Sequence, residues 1–327
     1  MIVISGVAGA LVGPLPWPVA SLPGFAQLDR VRDDWLPGLV EQAIADAGHL
    51  ADDLAWRPVG LYLAGDGDTA CRLAQRWDWC GPAFGVDAEC AGGLVALLLA
   101  AQELAAGHCD LAVVVAEQVL PDAASWDDGC APLAAKAREA APRAGAAVLV
   151  LERAADARRV RARLRGGAHR RLGSPSGMVG MSLRGISELL KGGLDRAGLT
   201  PGDVGYCELH ALGTAVGDAV ELASFCRVWG DDGDAARPTH LGNQKATFGH
   251  LEAVAGLVGL ARVMGWLESG VLPPTAWRRP FSPLAVVPPA LRLSEGGIEA
   301  GPQSGRAGGC LALSRSGVGA FALLGPV

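Results

Sequence analysis

The stretch VDAECAGGLVALLLAAQELAAG, residues 86–107, decides how the rest of the chain is read. A short apolar run, 83–86, leads into it, and a nearly all-apolar segment without proline runs from Gly92 to Ala106. That pattern is a strand delivering Cys90 to the first turn of a helix. The helix is apolar on every side and is expected at the centre of the molecule. A cysteine at a helix N-terminus meets unpaired backbone N–H groups, which are expected to stabilise the thiolate and lower its pKa. Gly92 and Gly93 let backbone or substrate approach closely. Taken alone, such a cysteine is either a small core residue or a nucleophile.

Outward from Cys90 the same alternation continues. Strand-like runs are 59–64, 83–86, 111–116, 146–151, 205–209 and 311–314. Helix-like runs are 39–47, 92–106, 186–197, 218–228 and 251–268. Continuous apolar strands between helices imply a sheet covered on both faces, hence an α/β architecture. The order recurs in each half, which points to an internal duplication. The natural seam is the Gly/Pro-rich stretch 166–177, with others at 10–24 and 273–289. Residues 1–165 then form a half carrying Cys90, and residues 166–327 form a half carrying His210 and His250.

Bulk composition narrows the function. The chain has 327 residues, half of them hydrophobic and 19% charged, so a large core is expected. A net charge of −6 argues against nucleic-acid binding, which needs a basic surface. Apolar runs such as 91–101 are about half the roughly 20 residues that a bilayer needs, so no membrane association is expected. The first charged residue is Asp29, and Pro14, Pro16 and Pro18 break the N-terminal apolar run, which is unlike a signal peptide. Eight cysteines without C-x-x-C spacing suggest neither a metal site nor a disulfide framework, so reduced thiols and a cytoplasmic location are expected. The basic run 153–171 reads as a solvated hairpin face or as a docking patch for an acidic partner.

Two later segments bear on Cys90. In YCELHALGTAVGD, 206–218, a strand delivers His210 into a turn built from Gly213, Thr214 and Gly217. In GNQKATFGHLEAVAGLVGL, 242–260, His250 opens another apolar helix, with Lys245 just before it. Lys245 is one of only three lysines among 28 basic residues. A lone histidine is usually structural. One cysteine and two histidines at helix starts suit acyl transfer through a thioester.

These three segments resemble the active-site signatures of the β-ketoacyl synthases, members of the thiolase superfamily. DAECAGGL, 87–94, is similar to the family's D-T-A-C-S-S-S-L. ELHALGTAVGD, 208–218, is similar to E-A-H-G-T-G-T-x-x-G-D, and KATFGHLEAVAG, 245–256, to K-S-N-I-G-H-x-E-A-A-A-G. Further matches are AGLTPGDVGYCELH at 197–210, GVLPPT at 270–275 and AAVLVLERAADARR at 146–159. Order and spacing agree over about 80–327.

The resemblance implies a thiolase-like α/β fold of two similar halves, stacked as five layers, α-β-α-β-α. It implies an acyltransferase of the β-ketoacyl-[acyl carrier protein] synthase type, in polyketide or fatty-acid-type biosynthesis. Cys90 would take an acyl chain from the phosphopantetheine of an acyl carrier protein or coenzyme A, with no bound cofactor and no metal. His210 and His250 would assist decarboxylation of a malonyl-type extender, and Lys245 would support the His250 region. N–H groups of Cys90 and of the turn around Val318 and Gly319 would form the oxyanion hole, with Val318 in the place of the family's gating phenylalanine. A homodimer, or a heterodimer with a ketosynthase homologue, would pair through 83–89.

The surroundings depart from the family pattern. Ala91, Gly92 and Gly93 replace serines, His210-Ala211-Leu212-Gly213-Thr214 replaces H-G-T-G-T, and Thr247 replaces an asparagine. Ala144 replaces an acidic residue, and GVGAFA, 317–322, replaces G-F-G-G-T-N. Two other readings follow: acyl transfer to an amine or alcohol, and a non-catalytic partner like the chain-length factors.

Overall fold

The structure is a computed structural model and describes residues 1–12, 22–28, 35–120, 131–173, 182–294 and 305–327; Pro14, Pro16 and Pro18 lie outside them. The first half runs β1 (Ile2–Val12), β2 (Phe25–Leu28), α1 (Trp35–Asp46), β3 (Val59–Ala64), α2 (Gly67–Gln75), β4 (Ala83–Gly85), α3 (Gly92–Ala106), β5 (Leu111–Gln118) and β6 (Gly145–Arg153). The second runs β7 (Ala162–Arg171), α4 (Leu183–Ala197), β8 (Val204–Glu208), α5 (Ala215–Asp232), β9 (Thr239–Gly242), α6 (Lys245–Phe248), α7 (Ala255–Ser269), β10 (Leu291–Leu293), β11 (Ala307–Leu313) and β12 (Val318–Gly325).

The strand order shows the repeat. From one edge to the middle it reads β4-β3-β5-β6-β1, and from the other β9-β8-β11-β12-β7, with β10 outside β9. With β2 and β10 left out and the remaining five strands of each half numbered in chain order, both series are 3-2-4-5-1. The halves join where Ile2–Ile4 of β1 pair antiparallel with residues 162–164 of β7. In each half three parallel strands lie toward the sheet edge, and the two strands nearest the middle pair antiparallel.

Three cores give the layering. The central core joins α3 and α7 to the inner faces of both halves, through Leu94, Leu97, Leu257, Leu260, Val114, Leu149 and Ala322. A second packs α1 and α2 on the outer face of the first half, and a third packs α4 and α5 on the outer face of the second. The result is α-β-α-β-α. As its sequence demands, α3 is buried around its whole first half, from Gly92 to Leu98. Gly93 and Gly256 set the approach of α3 to α7: a Cβ on Gly93 would stand 2.6 Å from the Ala253 carbonyl oxygen, and one on Gly256 would stand 2.6 Å from Leu94 Cγ.

Three differences from expectation have physical causes. The stretch Glu89–Ala106 does reach the length and mean hydropathy, 1.4, of a membrane span, but the structure packs it between two sheet faces. The basic run is no hairpin face, because β1 inserts between β6 and β7 and pairs with both. Several of its arginines pair with neighbouring carboxylates: Arg153 with Asp110 and Asp156, Arg159 and Arg161 with Asp46, Arg170 with Glu188, and of these pairs only Arg161–Asp46 is largely buried. The third difference is β1 itself, an eleven-residue strand buried except at its ends and absent from the strand-like runs expected above.

Candidate active site

Cys90 sits in a 3-10 turn, Glu89–Ala91, between β4 and α3. Glu89 adopts φ 47°, a conformation that costs a non-glycine residue about 1–3 kcal/mol unless its surroundings hold it. Its carboxylate is held from the far end of the chain: Oε2 accepts the Ser316 N–H at 3.0 Å. That bond ties the Cys90 turn to the turn between β11 and β12. The thiol itself is 5% exposed.

His250 follows α6, which stops at Gly249 in the left-handed region, φ 82°. The His250 backbone is gripped on both sides by the first half, donating to the Ala141 carbonyl at 2.9 Å and accepting the Arg143 N–H at 2.7 Å. Its Nε2 lies 3.2 Å from Cys90 Sγ. Glu252, again at positive φ, 45°, places Oε2 3.0 Å from the same sulfur and 3.7 Å from His250 Nε2. The thiol has one proton and two neighbours. If it donates to Glu252, a protonated Nε2 of His250 donates to the sulfur; if it donates to Nε2, the ring proton sits on Nδ1.

His210 leaves β8 with its backbone fixed by Glu221, whose two oxygens accept the N–H groups of His210 and Ala211 at 2.6 and 2.7 Å. The ring is fixed too. Nδ1 faces the Leu313 N–H at 3.3 Å and Lys245 Nζ at 3.4 Å, two donors. Nδ1 is therefore an acceptor, and the neutral ring carries its proton on Nε2. Lys245 Nζ also donates to the His210 carbonyl at 2.6 Å. The two imidazoles meet edge to face, 6.1 Å between centroids at 87°. Gly213, φ 94°, is required in the turn after His210, since a Cβ there would stand 1.9 Å from the Arg138 carbonyl oxygen.

The electrostatics correct one expectation. The Cys90 thiol is not activated by lowering its pKa but pushed up to about 12, first by burial and then by the hydrogen bond and negative charge of Glu252, with Lys245 opposing. Desolvation disfavours the charged thiolate, and the neighbouring carboxylate disfavours it further. Burial holds both imidazoles well below the ordinary histidine range, helped at His210 by Lys245 and His250 and at His250 by Lys245 and Arg315. Both rings are neutral hydrogen-bonding groups. Burial also pushes the Glu221 carboxyl up to about 8 and raises Asp218, which accepts the N–H groups of Leu133, Gly213 and Thr214.

Cys90, His210, His250 and Lys245 are thus brought together from three separate segments, with Lys245 opening the short helix α6 and His250 following it. Val318 opens β12, which packs against the Cys90 turn, and its side chain lies against the central core. Its N–H donates to Ser314 Oγ at 3.0 Å. Gly319 faces the opposite side, where a Cβ would stand 2.7 Å from Leu189 Cδ2 under α4. The sequence motifs mark neither Glu252 nor Glu89, Glu221, Asp218 and Arg315 as site residues. No motif marks the segment 131–143 either, whose Ala140 N–H donates to the Leu212 carbonyl and whose Ala141 and Arg143 hold His250. The only available signal was the position of Glu252, Asp218 and Glu221 within or just after the histidine motifs.

The chain is similar to known proteins in sequence and in fold. The family model "Beta-ketoacyl synthase, N-terminal domain" matches residues 59–157, and "Beta-ketoacyl synthase, C-terminal domain" matches 161–277. The chain belongs to the β-ketoacyl synthase family. Among curated relatives, it is 36% identical over 231 residues to the spectinabilin polyketide synthase system protein NorA' of Streptomyces orinoci, covering 66% of this chain and 6% of that protein. It is 33% identical over 259 residues to NorC of the same system, covering 74% and 11%. This ketosynthase therefore spans only a small part of the length of these two relatives. Among solved structures, the oxazolomycin ketosynthase domain OzmH KS8 of Streptomyces albus JA3453 superimposes with TM-score 0.83 at 26% identity, covering 100% of this chain and 95% of that one. The ketosynthase from module 6 of the bacillaene synthase of Bacillus subtilis 168 shares the fold, with TM-score 0.86 at 20% identity and coverage of 100% and 72%. The thiolase-like fold and the polyketide-type ketosynthase family are those expected from the three motifs.

Proposed function

We propose that this ketosynthase loads an acyl chain on Cys90 and extends it by decarboxylative condensation. The observation that carries the reading is the placing of Cys90 Sγ 3.2 Å from His250 Nε2, with His210 beside it holding its proton on Nε2. In the loading half, the thiol proton passes to Glu252 or His250 as sulfur attacks the thioester carbonyl of an acyl carrier protein or coenzyme A. The phosphopantetheine thiolate leaves and takes up a proton. N–H groups of Cys90 and Val318 stabilise the tetrahedral oxyanion.

In the second half, a malonyl-type thioester binds with its carbonyl oxygen toward His210 and His250. Neutral imidazole N–H groups stabilise the enolate as carbon dioxide leaves, and Lys245 keeps the His210 ring in that tautomer. The enolate carbon attacks the acyl carbonyl, a carbon–carbon bond forms and Cys90 thiolate is expelled. The nucleophile belongs to residues 1–165 and both histidines to 166–327. An acyl carrier protein is the expected partner, a homodimer or heterodimer through β4 the expected assembly, and the cytoplasm the expected location.

A carboxylate in contact with the thiol favours a second reading, acyl transfer to an amine or alcohol, because Glu252 could receive the proton of such a nucleophile. Release of labelled carbon dioxide from a malonyl-carrier substrate, lost in His210→Ala and His250→Ala, is the outcome expected of condensation. An acylated enzyme that transfers its chain without carbon dioxide release would replace it by the second reading.

A further inference from the structure

We propose that Cys90, His250 and Glu252 form a three-ligand site for Zn²⁺, and that an ion held there closes the nucleophile to acyl donors. Their donor atoms Sγ, Nε2 and Oε2 lie within 4.8 Å of one another, with edges of 3.2, 3.0 and 3.7 Å. Around tetrahedral zinc, with Zn–S about 2.3 Å and Zn–N or Zn–O about 2.0–2.2 Å, the edges between ligand atoms are about 3.3–3.6 Å. Each edge here is within about half an ångström of that geometry. One ion can be seated by small side-chain rotations.

The donor set fits the ion. Thiolate, imidazole and carboxylate are the three side-chain types that zinc takes, and three protein ligands with one open position is the count of non-structural zinc sites. Thiolate and carboxylate together neutralise the ion, and the nearby Glu89 adds negative charge against the positive Lys245 and Arg315. Positions 90 and 250 form no metal motif along the chain; the fold alone brings them together.

The step balances without any redox partner. A Zn–S bond forms as the S–H bond breaks, the proton leaves to solvent, and Glu252 Oε2 turns from the thiol to the ion. The sulfur lone pair that would attack an acyl carbonyl is then bound to metal, as is Nε2 of His250. Metal and acyl group exclude each other. The inference needs only the three side chains and stands apart from the decarboxylative chemistry.

Anaerobic titration of the whole chain with Co²⁺ as a zinc probe tests it, with equilibrium dialysis of Zn²⁺ for affinity. One equivalent of Co²⁺ should give a thiolate-to-cobalt charge-transfer band and tetrahedral ligand-field bands, both abolished by Zn²⁺. The bands should vanish in Cys90→Ser, persist in Cys71→Ser/Cys80→Ser, and be absent from protein whose Cys90 is already acylated. Glu252→Gln should weaken Zn²⁺ at least as much as loss of an outer-shell partner does, roughly 10- to 100-fold. Circular dichroism checks that the variants are folded. No charge-transfer band, or a band that survives Cys90→Ser and disappears with the exposed cysteines, overturns the site. Because the cobalt spectrum is read without turnover, a failed acyl-loading reaction and a failed metal site give separate results.

Discussion

Glu89 and Glu252 occupy the same place in the two halves of the chain. Each opens a 3-10 turn at positive φ, 47° and 45°, and each turn runs into one of the two central helices. The sequences ECAGGL, 89–94, and EAVAGL, 252–257, superimpose on this relation, so Cys90 corresponds to Ala253. Glu89 turns outward to the Ser316 N–H, and Glu252 turns inward to the Cys90 thiol. One duplicated turn thus supplies the nucleophile in one half and its carboxylate neighbour in the other.

The acyl chain is expected on Cys90 alone. Intact-protein mass spectrometry after exposure to an acyl-carrier thioester should show one adduct, mapped to the Cys90 peptide, and none in Cys90→Ala. Cys71 and Cys80 are exposed and should capture general alkylating reagents, so acyl transfer rather than alkylation is the informative probe. Acylation that persists in Cys90→Ala would remove the nucleophile.

A dimer is expected through β4. Its Ala83–Gly85 segment pairs with β3 on one side, and Phe84 is 50% exposed. An uncovered edge strand with an apolar side chain is a template for pairing. Light scattering should give about twice 33.4 kDa, or a heterodimer with a homologue, and Phe84→Arg should shift it toward the monomer. A monomeric wild type that retains activity would discard the interface.

Val318 is expected to leave the site mouth open to bulky chains, because valine lacks the reach of the family's phenylalanine. Val318→Phe should slow loading by long acyl donors and spare acetyl-sized ones. A packing difference of this size changes selectivity roughly 10- to 200-fold, about 1–3 kcal/mol. An equal change for short and long donors would show that Val318 does not gate the site.

Glu221 makes stability pH-dependent. Its carboxyl is moved from an ordinary 4.5 to about 8 in the fold, chiefly by burial and next by the charge of Asp218. The folded state therefore binds this proton more tightly than the unfolded chain. The stabilisation is complete below the unfolded value and is lost as pH rises through about 8, a swing of a few kcal/mol. Thermal melting of the wild type should weaken between these limits more steeply than that of Glu221→Gln. Parallel melting curves for the two proteins would exclude Glu221 as the cause.

Gly256→Ala tests the central crossing. The added methyl would meet Leu94 Cγ at 2.6 Å, and overpacking of this kind costs about 1–3 kcal/mol. Denaturant midpoints should fall accordingly, whereas Gly38→Ala, which meets nothing within 4 Å, should not fall.

Much of this protein was legible along the chain because its signals are local. The all-apolar run of α3 matches its structural limits, Gly92–Ala106, since a helix hydrophobic on every side can only be central. The apolar runs of β3, β5 and β6 and the turns carrying Cys90, His210 and His250 were legible for the same reason. Long-range relations were not. β1 carries no alternation, because both of its faces are covered, and its place between β6 and β7 depends on pairing across some 150 residues. The raised thiol pKa also depends on a distant group: Glu252 lies 162 residues from Cys90 in the chain and 3.0 Å away in the fold. The sequence determined which residues could do chemistry and on which turns they sit. Only tertiary packing decided that Nδ1 of His210 is an acceptor, that Glu252 faces the sulfur, and that residues 131–143 hold both histidine turns, because hydrogen bonding and desolvation are set by neighbours in space.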